Sequence, residues 1–386
     1  YLPIAMTKLE TKQKLLAKRS SSLAGVISVP GDKSISHRAI ILSMITHETT
    51  RIYNFLDSTD TNKSLNAAIK LGIKCKQNDK FLEIRGKGLY GLKPSEQELF
   101  FGNSGTSMRL FMGVLSAQKF SSTLIGDSSL NTRPMERVAM PLRNMGAHIE
   151  MEEDHAPIQI YPSEQIIGCK QKLKVPSAQV KSAILLAALY ANSKTILTTD
   201  WVTRNHTELM LEFFGCPISH NDKEVTIEYG EIKGRDALTI PGDFSSAAFL
   251  ILATLLAKNS QIIIKDVGLN PTRTGFLKIL QMMGGDITTT IDLNSSFEIQ
   301  GSIKVRSSTL QGIKVPNNLV SLSIDELPLV CLAAACAHGT TTIRNASELR
   351  FKESDRIAAM VKLLSALSIE VKELNDGLII NGGVIT

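Results

Sequence analysis

The sequence predicts an α/β (α+β) protein of two domains, each assembled from repeated β-α-β-α-β-β units whose inner helices converge beneath sheets. Three observations predict it. At 386 residues the chain exceeds one comfortable core. A strand–helix–strand–helix pattern recurs at a spacing of roughly seventy residues, longer than the common solenoid periods. Within each recurrence the first helix is apolar nearly all round, which calls for burial on every side, whereas the second carries charge along one face.

In chain order, residues 1–22 read as a polar, Lys-rich leader or linker. A β-like run from Leu23 meets Pro30 and Gly31, which stop it, and an apolar helical pattern then runs on to Ile45. Asp32 and Ser34 are both candidate N-caps for that helix. First helices begin near Ser34, Ser104, Ser177, Ser245 and Asp325, with apolar stretches Ala39–Ile45, Met108–Leu115, Ala183–Ala191, Ala247–Leu256 and Leu329–Ala337. Second helices, such as Pro134–Met145 and Thr274–Met283, are expected outside. They close at Leu71-Gly72, Met145-Gly146, Phe214-Gly215, Met283-Gly284 and, more loosely, Leu367-Ser368, and an Ile soon after each opens a strand. Gly after the last apolar residue is a helix C-cap. Strands such as Phe81–Ile84 and Gln261–Ile264 fill the intervals. Five units are visible, and two equal domains of three would need a sixth, expected beyond Thr386.

Composition narrows the function. The chain is 43% hydrophobic and 21% charged, ordinary for a globular protein, but only 5% aromatic, which argues against a base-stacking nucleic-acid surface. Its net charge of +6 is scattered, with no basic arm, and fits small anionic substrates. Cys75, Cys169, Cys216, Cys331 and Cys336 show neither zinc-ligand spacing nor a disulfide framework, and read as buried, reduced residues of a cytoplasmic protein. No apolar run reaches membrane-span length, and the apolar start Tyr1–Met6 lacks a basic leader and cleavage site. Neither nucleic acid nor membrane is expected as a partner.

The chemistry-bearing residues stand at helix starts. Lys33, Ser36 and Arg38 put two cations and a hydroxyl into the first turns of a helix whose free N–H groups attract negative charge, a site for phosphate or carboxylate. In Gly102–Arg109 two glycines let backbone approach a ligand, while Asn103, Ser104 and Thr106 offer hydrogen bonds. Ser177 is a phosphate ligand or a plain cap, and Gln179 can reach a carboxylate. Arg133, before Pro134, is placed to grip an anion bidentately, and Thr203–His206 opens another second helix in the same manner. Asp325 and Glu326 precede an apolar helix as cap or general base, and Lys352, Glu353, Asp355 and Arg356 cluster as a salt-bridged turn or a proton donor–acceptor set. No Walker loop, dinucleotide fingerprint, nucleophile elbow or zinc motif occurs, so neither metal nor cofactor is expected.

From about Leu23 to Gly383, the order of Pro30–Arg38, Gly102–Arg109, Arg133-Pro134-Met135 and Lys352–Arg356 resembles the 5-enolpyruvylshikimate-3-phosphate synthases. The resemblance implies an inside-out α/β barrel arrangement of two domains, 33–240 and 23–32 with 241–386, closing like a clam on the substrates. It implies transfer of the enolpyruvyl group of phosphoenolpyruvate to the 5-hydroxyl of shikimate 3-phosphate, with release of phosphate, by a cytoplasmic monomer. Carried over by position, Lys33, Ser34, Arg38, Ser177, Ala178, Gln179 and Thr203 or Arg204 contact shikimate 3-phosphate. Lys33, Gly105, Arg133, Gln179 and Arg356 contact phosphoenolpyruvate, with Asn103 beside them. Asp325 is the base toward the 5-hydroxyl, and Lys352 and Glu353 handle the other protons. Gly105 lies where glyphosate competes, while Leu110 replaces a proline common in sensitive forms, which leaves sensitivity open. The family pattern continues beyond Thr386 with an Asp-His-Arg-x-Ala-Met segment and a later Lys, so the chain reads as a fragment. A noncatalytic anion-binding remnant is the alternative. The related enolpyruvyl-UDP-N-acetylglucosamine synthases would carry Lys-Asn in place of Lys33-Ser34 and a loop Cys, neither found here.

Overall fold

Each half of the chain closes around its own apolar cluster, one running from Ile35 to Ile240 and the other combining Val29 with residues from Phe244 to Ile380. The computed structural model describes residues 22–293 and 296–383. Apart from Ser22, the expected leader lies outside the described residues.

Among these, the helices are α1 (Lys33–Met44), α2 (Thr59–Lys70), α3 (Gly105–Leu115), α4 (Ser128–Asn131), α5 (Glu136–Arg143) and α6 (Ala178–Ala188). They continue with α7 (His206–Phe213), α8 (Phe244–Leu256), α9 (Gly275–Met282), α10 (Asn317–Ser321), α11 (Leu327–Ala335) and α12 (Arg356–Ala366). The expected inner helices are α1, α3, α6, α8 and α11. In α1 every residue from Ile35 to Met44 is buried, and in α6 every residue from Val180. Helices α3 and α6 pack so closely that a Cβ on Gly113 would lie 2.3 Å from the Ala183 carbonyl oxygen. Each large aliphatic or aromatic side chain so buried contributes about 1.5–3 kcal/mol, and this packing holds the inner helix ends at fixed positions.

The predicted C-caps hold. Gly72, Gly146, Gly215 and Gly284 take φ of +88°, +94°, +75° and +93°, and Ser368, at the looser position, takes +58°. Three details differ from expectation. Asp32, not Ser34, caps α1, its carboxylate accepting from Ile35 N at 2.8 Å, so Ser34 falls inside the first turn. Helix α5 starts at Glu136 rather than Pro134, because the chain first turns through α4. Helix α8 is not covered all round among the described residues: one face meets the strands Gln261–Gly268 and Gln300–Arg306 and helix α11, while Phe249 is 64% exposed. Of the cysteines, Cys216 and Cys331 are buried and the other three half-buried, all free.

The unit topology appears in the sheets. Strands Lys170–Lys172, Thr195–Thr198, Glu224–Ile227 and Ile218–His220 lie side by side in that order, the first pair parallel and the others antiparallel. Strands Leu99–Phe100, Ser122–Ile125, His155–Tyr161 and His148–Glu152 repeat it. Such a parallel pair needs a crossover, and the inner helix supplies it.

Two first strands are exchanged between the halves. Ala24–Ser28 runs parallel to Gln261–Gly268, and Ala237–Thr239 runs parallel to Thr49–Tyr53. The chain therefore crosses twice, through Pro30-Gly31-Asp32 and Pro241-Gly242-Asp243. The crossings bind each other: Asp32 N donates to Pro241 O at 2.9 Å and Asp243 N to Pro30 O at 2.8 Å. Gly31 is required there, since a Cβ would lie 1.9 Å from the Asn54 carbonyl oxygen.

Behind the start of α1, His37 is wholly buried. Its Nδ1 meets Ser64 Oγ of α2 at 2.7 Å, its Nε2 faces Ser104 Oγ at 3.4 Å, and Ser64 meets Ser107 Oγ of α3 at 2.5 Å. Burial, then Lys33 nearby, pushes its pKa from 6.5 down to about 3. Between those values the unfolded chain takes up a proton that the folded chain refuses, so this contribution is intact above 6.5 and falls away as the pH drops. Denaturant titrations from pH 4 to 6 should show His37→Gln losing about one proton's worth of slope, roughly 1.4 kcal/mol per pH unit. An unchanged slope would mean that His37 is protonated in the fold.

Candidate active site

The N-terminal ends of α1, α3 and α6 meet the stretches before α5 and α7. Arg38 is 4% exposed. Its Nε donates to Thr207 Oγ1 at 2.7 Å, Nη2 to Ser182 Oγ at 2.9 Å and Nη1 to the Ser34 carbonyl at 2.9 Å, all neutral acceptors. Burial pulls its pKa down to about 10 despite the attraction of Glu208, and Glu208 is itself bound by Lys181 at 2.5 Å. A buried guanidinium held by neutral oxygens keeps charge with which it can receive an anion. Lys33, half exposed at the start of α1, reaches Asp60 at 2.9 Å. Ser177 caps α6 through Val180 N at 3.4 Å, and Ala178 is the first residue of that helix.

A second cradle lies at α3. Asn103 accepts from Arg133 Nη2. Gln179 accepts from Arg109 Nη1 at 2.7 Å and donates to Thr106 at 2.8 Å, which fixes its amide orientation. A Cβ on Gly105 would lie 2.9 Å from Arg109 Nη1 and 3.2 Å from Arg133 Nη1. The missing side chain thus opens a space beside two guanidinium groups, and the Nε atoms of both are buried without a partner. Burial, with Arg137 and Arg133 close by, lowers Arg109 to about 10.

The other half presents carboxylates and further cations. Asp325 is gripped by Arg204 across the cleft and by Arg356 Nη1 at 3.6 Å. Burial raises its pKa, but Arg204, Arg273 and Lys352 outweigh burial and hold the carboxylate far below its usual range. Lys352 is lowered by burial, against the pull of Asp325 and Glu348. Glu353 binds Arg356 Nη2 at 2.7 Å and meets Arg133 Nη1 at 3.6 Å across the cleft; despite partial burial these contacts lower its pKa. Arg137 and Glu348 make a further crossing contact at 4.0 Å. Thr203 Oγ1, next to Arg204, is buried with no hydrogen-bond partner.

The structure therefore gathers Lys33, Ser34, Arg38, Ser177, Ala178, Gln179, Asn103, Gly105 and Arg133 on one wall, linked to Asp325, Lys352, Glu353 and Arg356 on the other through Arg204 and Arg133. Sequence reasoning misses Arg273, 4% exposed, whose Nη1 meets Asp32 at 3.4 Å and whose Nη2 meets Ser245 at 2.7 Å, Glu326 at 3.5 Å and Asp243 at 3.9 Å. Its signal was present, since Asn270–Arg273 precedes α9 as Arg133 precedes α5 and Arg204 precedes α7. It also misses His206 Nδ1 on Glu298 at 2.9 Å, a buried contact between the halves whose acid sits in an irregular segment without periodic signature. Among the described residues no group of three or more His, Cys, Asp or Glu side chains is placed to hold a metal ion.

Comparison with known proteins identifies the family. The family model described as EPSP synthase (3-phosphoshikimate 1-carboxyvinyltransferase) matches residues 17–386. A 3-phosphoshikimate 1-carboxyvinyltransferase of Salinibacter ruber is 45% identical over 369 residues, 94% of this chain and 85% of its own length. One from Acidithiobacillus ferrooxidans is 45% identical over 373 residues, 96% of this chain and 86% of its own. The solved structure of an EPSP synthase from Acinetobacter baumannii superposes with a TM-score of 0.84 at 41% identity, covering 94% of this chain and 82% of that one. These relatives support the first reading over the remnant and the UDP-sugar alternative, and the chain belongs to the EPSP synthase family.

Proposed function

We propose that this chain transfers the enolpyruvyl group of phosphoenolpyruvate to the 5-hydroxyl of shikimate 3-phosphate, releasing phosphate, in the cleft between its halves. The observation that carries the reading is the pairing of Asp325, a half-buried carboxylate, with Arg204 of the opposite wall, near the Arg38 and Arg109 guanidinium groups, whose hydrogen-bond acceptors carry no opposing charge. Two polyanionic substrates supply that charge.

The 5-hydroxyl oxygen adds to C2 of phosphoenolpyruvate while C3 gains a proton, giving a tetrahedral ketal phosphate. Loss of phosphate and of a methyl proton then restores the double bond and gives the enol ether. Lys33, Ser34, Arg38, Ser177, Ala178, Gln179, Thr203 and Arg204 are the proposed shikimate-phosphate contacts. Lys33, Gln179, Gly105, Asn103, Arg133 and Arg356 are proposed to cradle phosphoenolpyruvate. Asp325 takes the hydroxyl proton. A carboxylate gripped by two arginines is a weak base, but substrate anions compete for Arg204 and Arg356 and return its basicity. Lys352, already biased toward losing its proton by burial, and Glu353 exchange the protons at C3.

We further infer two domains, 23–32 with 241–386 and 33–240, supported by the two separate apolar clusters. Their closure would exclude water from the cleft. We also infer a cytoplasmic monomer acting on small anions rather than on nucleic acid or membranes, in keeping with its scattered charge.

Phosphate release, assayed with this chain and with a chain extended beyond Thr386, should depend on both substrates together; release that needs neither, or none from either chain, would sink the reading. Asp325→Asn should lower kcat by about 10²–10⁴-fold, the usual reach of a general base, with both substrates still bound in equilibrium titrations. Gly105→Ala should raise KM for phosphoenolpyruvate about ten- to a hundredfold, as crowding of about 1–3 kcal/mol implies. KM for shikimate 3-phosphate should stay within about twofold, and equal rises in both would place the glycine elsewhere.

A further inference from the structure

We propose that Thr207 and Ser182 are positioning residues whose paired hydroxyls hold the Arg38 guanidinium with one fork end turned to a substrate anion. The proposal rests on the reading above, in which Arg38 binds shikimate 3-phosphate.

Proton counting leaves one arrangement. Ser182 Oγ has a single hydrogen and donates it to the Ala178 carbonyl at 2.7 Å, inside α6. In its 2.6 Å contact with Thr207 Oγ1, Ser182 must therefore accept, and Thr207 donates. Thr207 Oγ1 then accepts from Arg38 Nε and Ser182 Oγ from Nη2. The two hydroxyls thus occupy the side edge of the guanidinium as a carboxylate would, but carry no charge. The Ser34 carbonyl takes one hydrogen of Nη1. Of five N–H bonds, one on each Nη remains, the pair that meets two oxygens of a phosphate or carboxylate.

The neighbouring rung keeps it so. Glu208 follows Thr207 in α7 and Lys181 precedes Ser182 in α6, and their 2.5 Å ion pair gives the carboxylate that acts most strongly on Arg38 a cation of its own. Arg38 is consequently fixed without being neutralised. A carboxylate in place of the hydroxyl pair would orient it equally well and cancel the charge needed for binding.

The test is calorimetric titration of shikimate 3-phosphate into the full chain, with steady-state kinetics alongside. Arg38→Ala should abolish binding; if it does not, the assignment of Arg38 to this substrate fails. Given that loss, Thr207→Val should raise Kd and KM for shikimate 3-phosphate about ten- to a hundredfold, the usual effect of losing a hydrogen bond to a charged group. KM for phosphoenolpyruvate should stay within about twofold, and Thr207→Ser should restore binding. Ser182→Ala should reproduce the effect by a second route should the valine variant fold poorly. Unchanged Kd in both hydroxyl variants overturns the proposal, as does a parallel loss for both substrates that serine does not rescue.

Discussion

The molecule turns on the doubled crossing at Pro30–Asp32 and Pro241–Asp243. Each crossing ends in the aspartate that caps an inner helix, Asp32 for α1 and Asp243 for α8, and each donates its amide to the other's proline carbonyl. Two N-terminal helix ends and two carboxylates are brought together there, and Arg273 fills the space between them. Its guanidinium is surrounded by Asp32, Asp243 and Glu326, more negative charge than one cation balances. Burial and the charge of Asp32 accordingly push Asp243 up to about 6. Asp32 stays well below the ordinary carboxylate range: burial opposes its ionisation, but Arg273, His206 and the Ile35 amide prevail. Ordering these groups costs the fold a buried network, but it aligns α1, which carries Lys33, Ser34 and Arg38, with α11, which follows Asp325.

From that pivot the two walls approach through charged contacts of very different weight. The His206–Glu298 pair is buried on both sides, with Asn270 Nδ2 donating to Glu298 at 2.6 Å, and removing one partner would strand the other in a low-dielectric setting. Arg133–Glu353 and Arg137–Glu348 are longer and more exposed, and such pairs contribute only about 0–1 kcal/mol. The halves are therefore joined near the crossings by a buried contact, and at the substrate end by the close Arg204–Asp325 pair together with these two weaker ones. Anions entering the cleft can displace the weaker contacts without disturbing the pivot.

Much of this was legible in the sequence because it rests on local rules. Glycine C-caps, serine N-caps, apolar inner helices and arginines before second helices are decided within a few residues, and the structure puts Ser104, Ser177, Arg133 and Arg204 where those rules place them. Non-local facts were not legible from local rules. Nothing local in Ala24–Ser28 says that it pairs across the crossing rather than with Thr49–Tyr53, since both partners are equally β-like, and only the family resemblance assigns 23–32 to the other half. The exposed Phe249 face of α8 has the same apolar pattern as buried α6. Glu298 is a single acid in an irregular segment, and only the fold brings His206 to it.

Arg273 and Arg38 show why motif position alone does not assign a role. Both are arginines 4% exposed near an inner-helix start, and both bind side chains of distant elements. What separates them is their countercharge. Arg273 is compensated by carboxylates on three sides and has no charge left for a ligand, so its role is to hold the fold. Arg38 is held by hydroxyls and a carbonyl while the adjacent carboxylate is tied to Lys181, so its charge is available in the cleft. A buried cation with no hydrogen-bonded anion of its own fits the proposal that the substrate brings one. By that criterion the site is read from where the protein leaves charge unpaired.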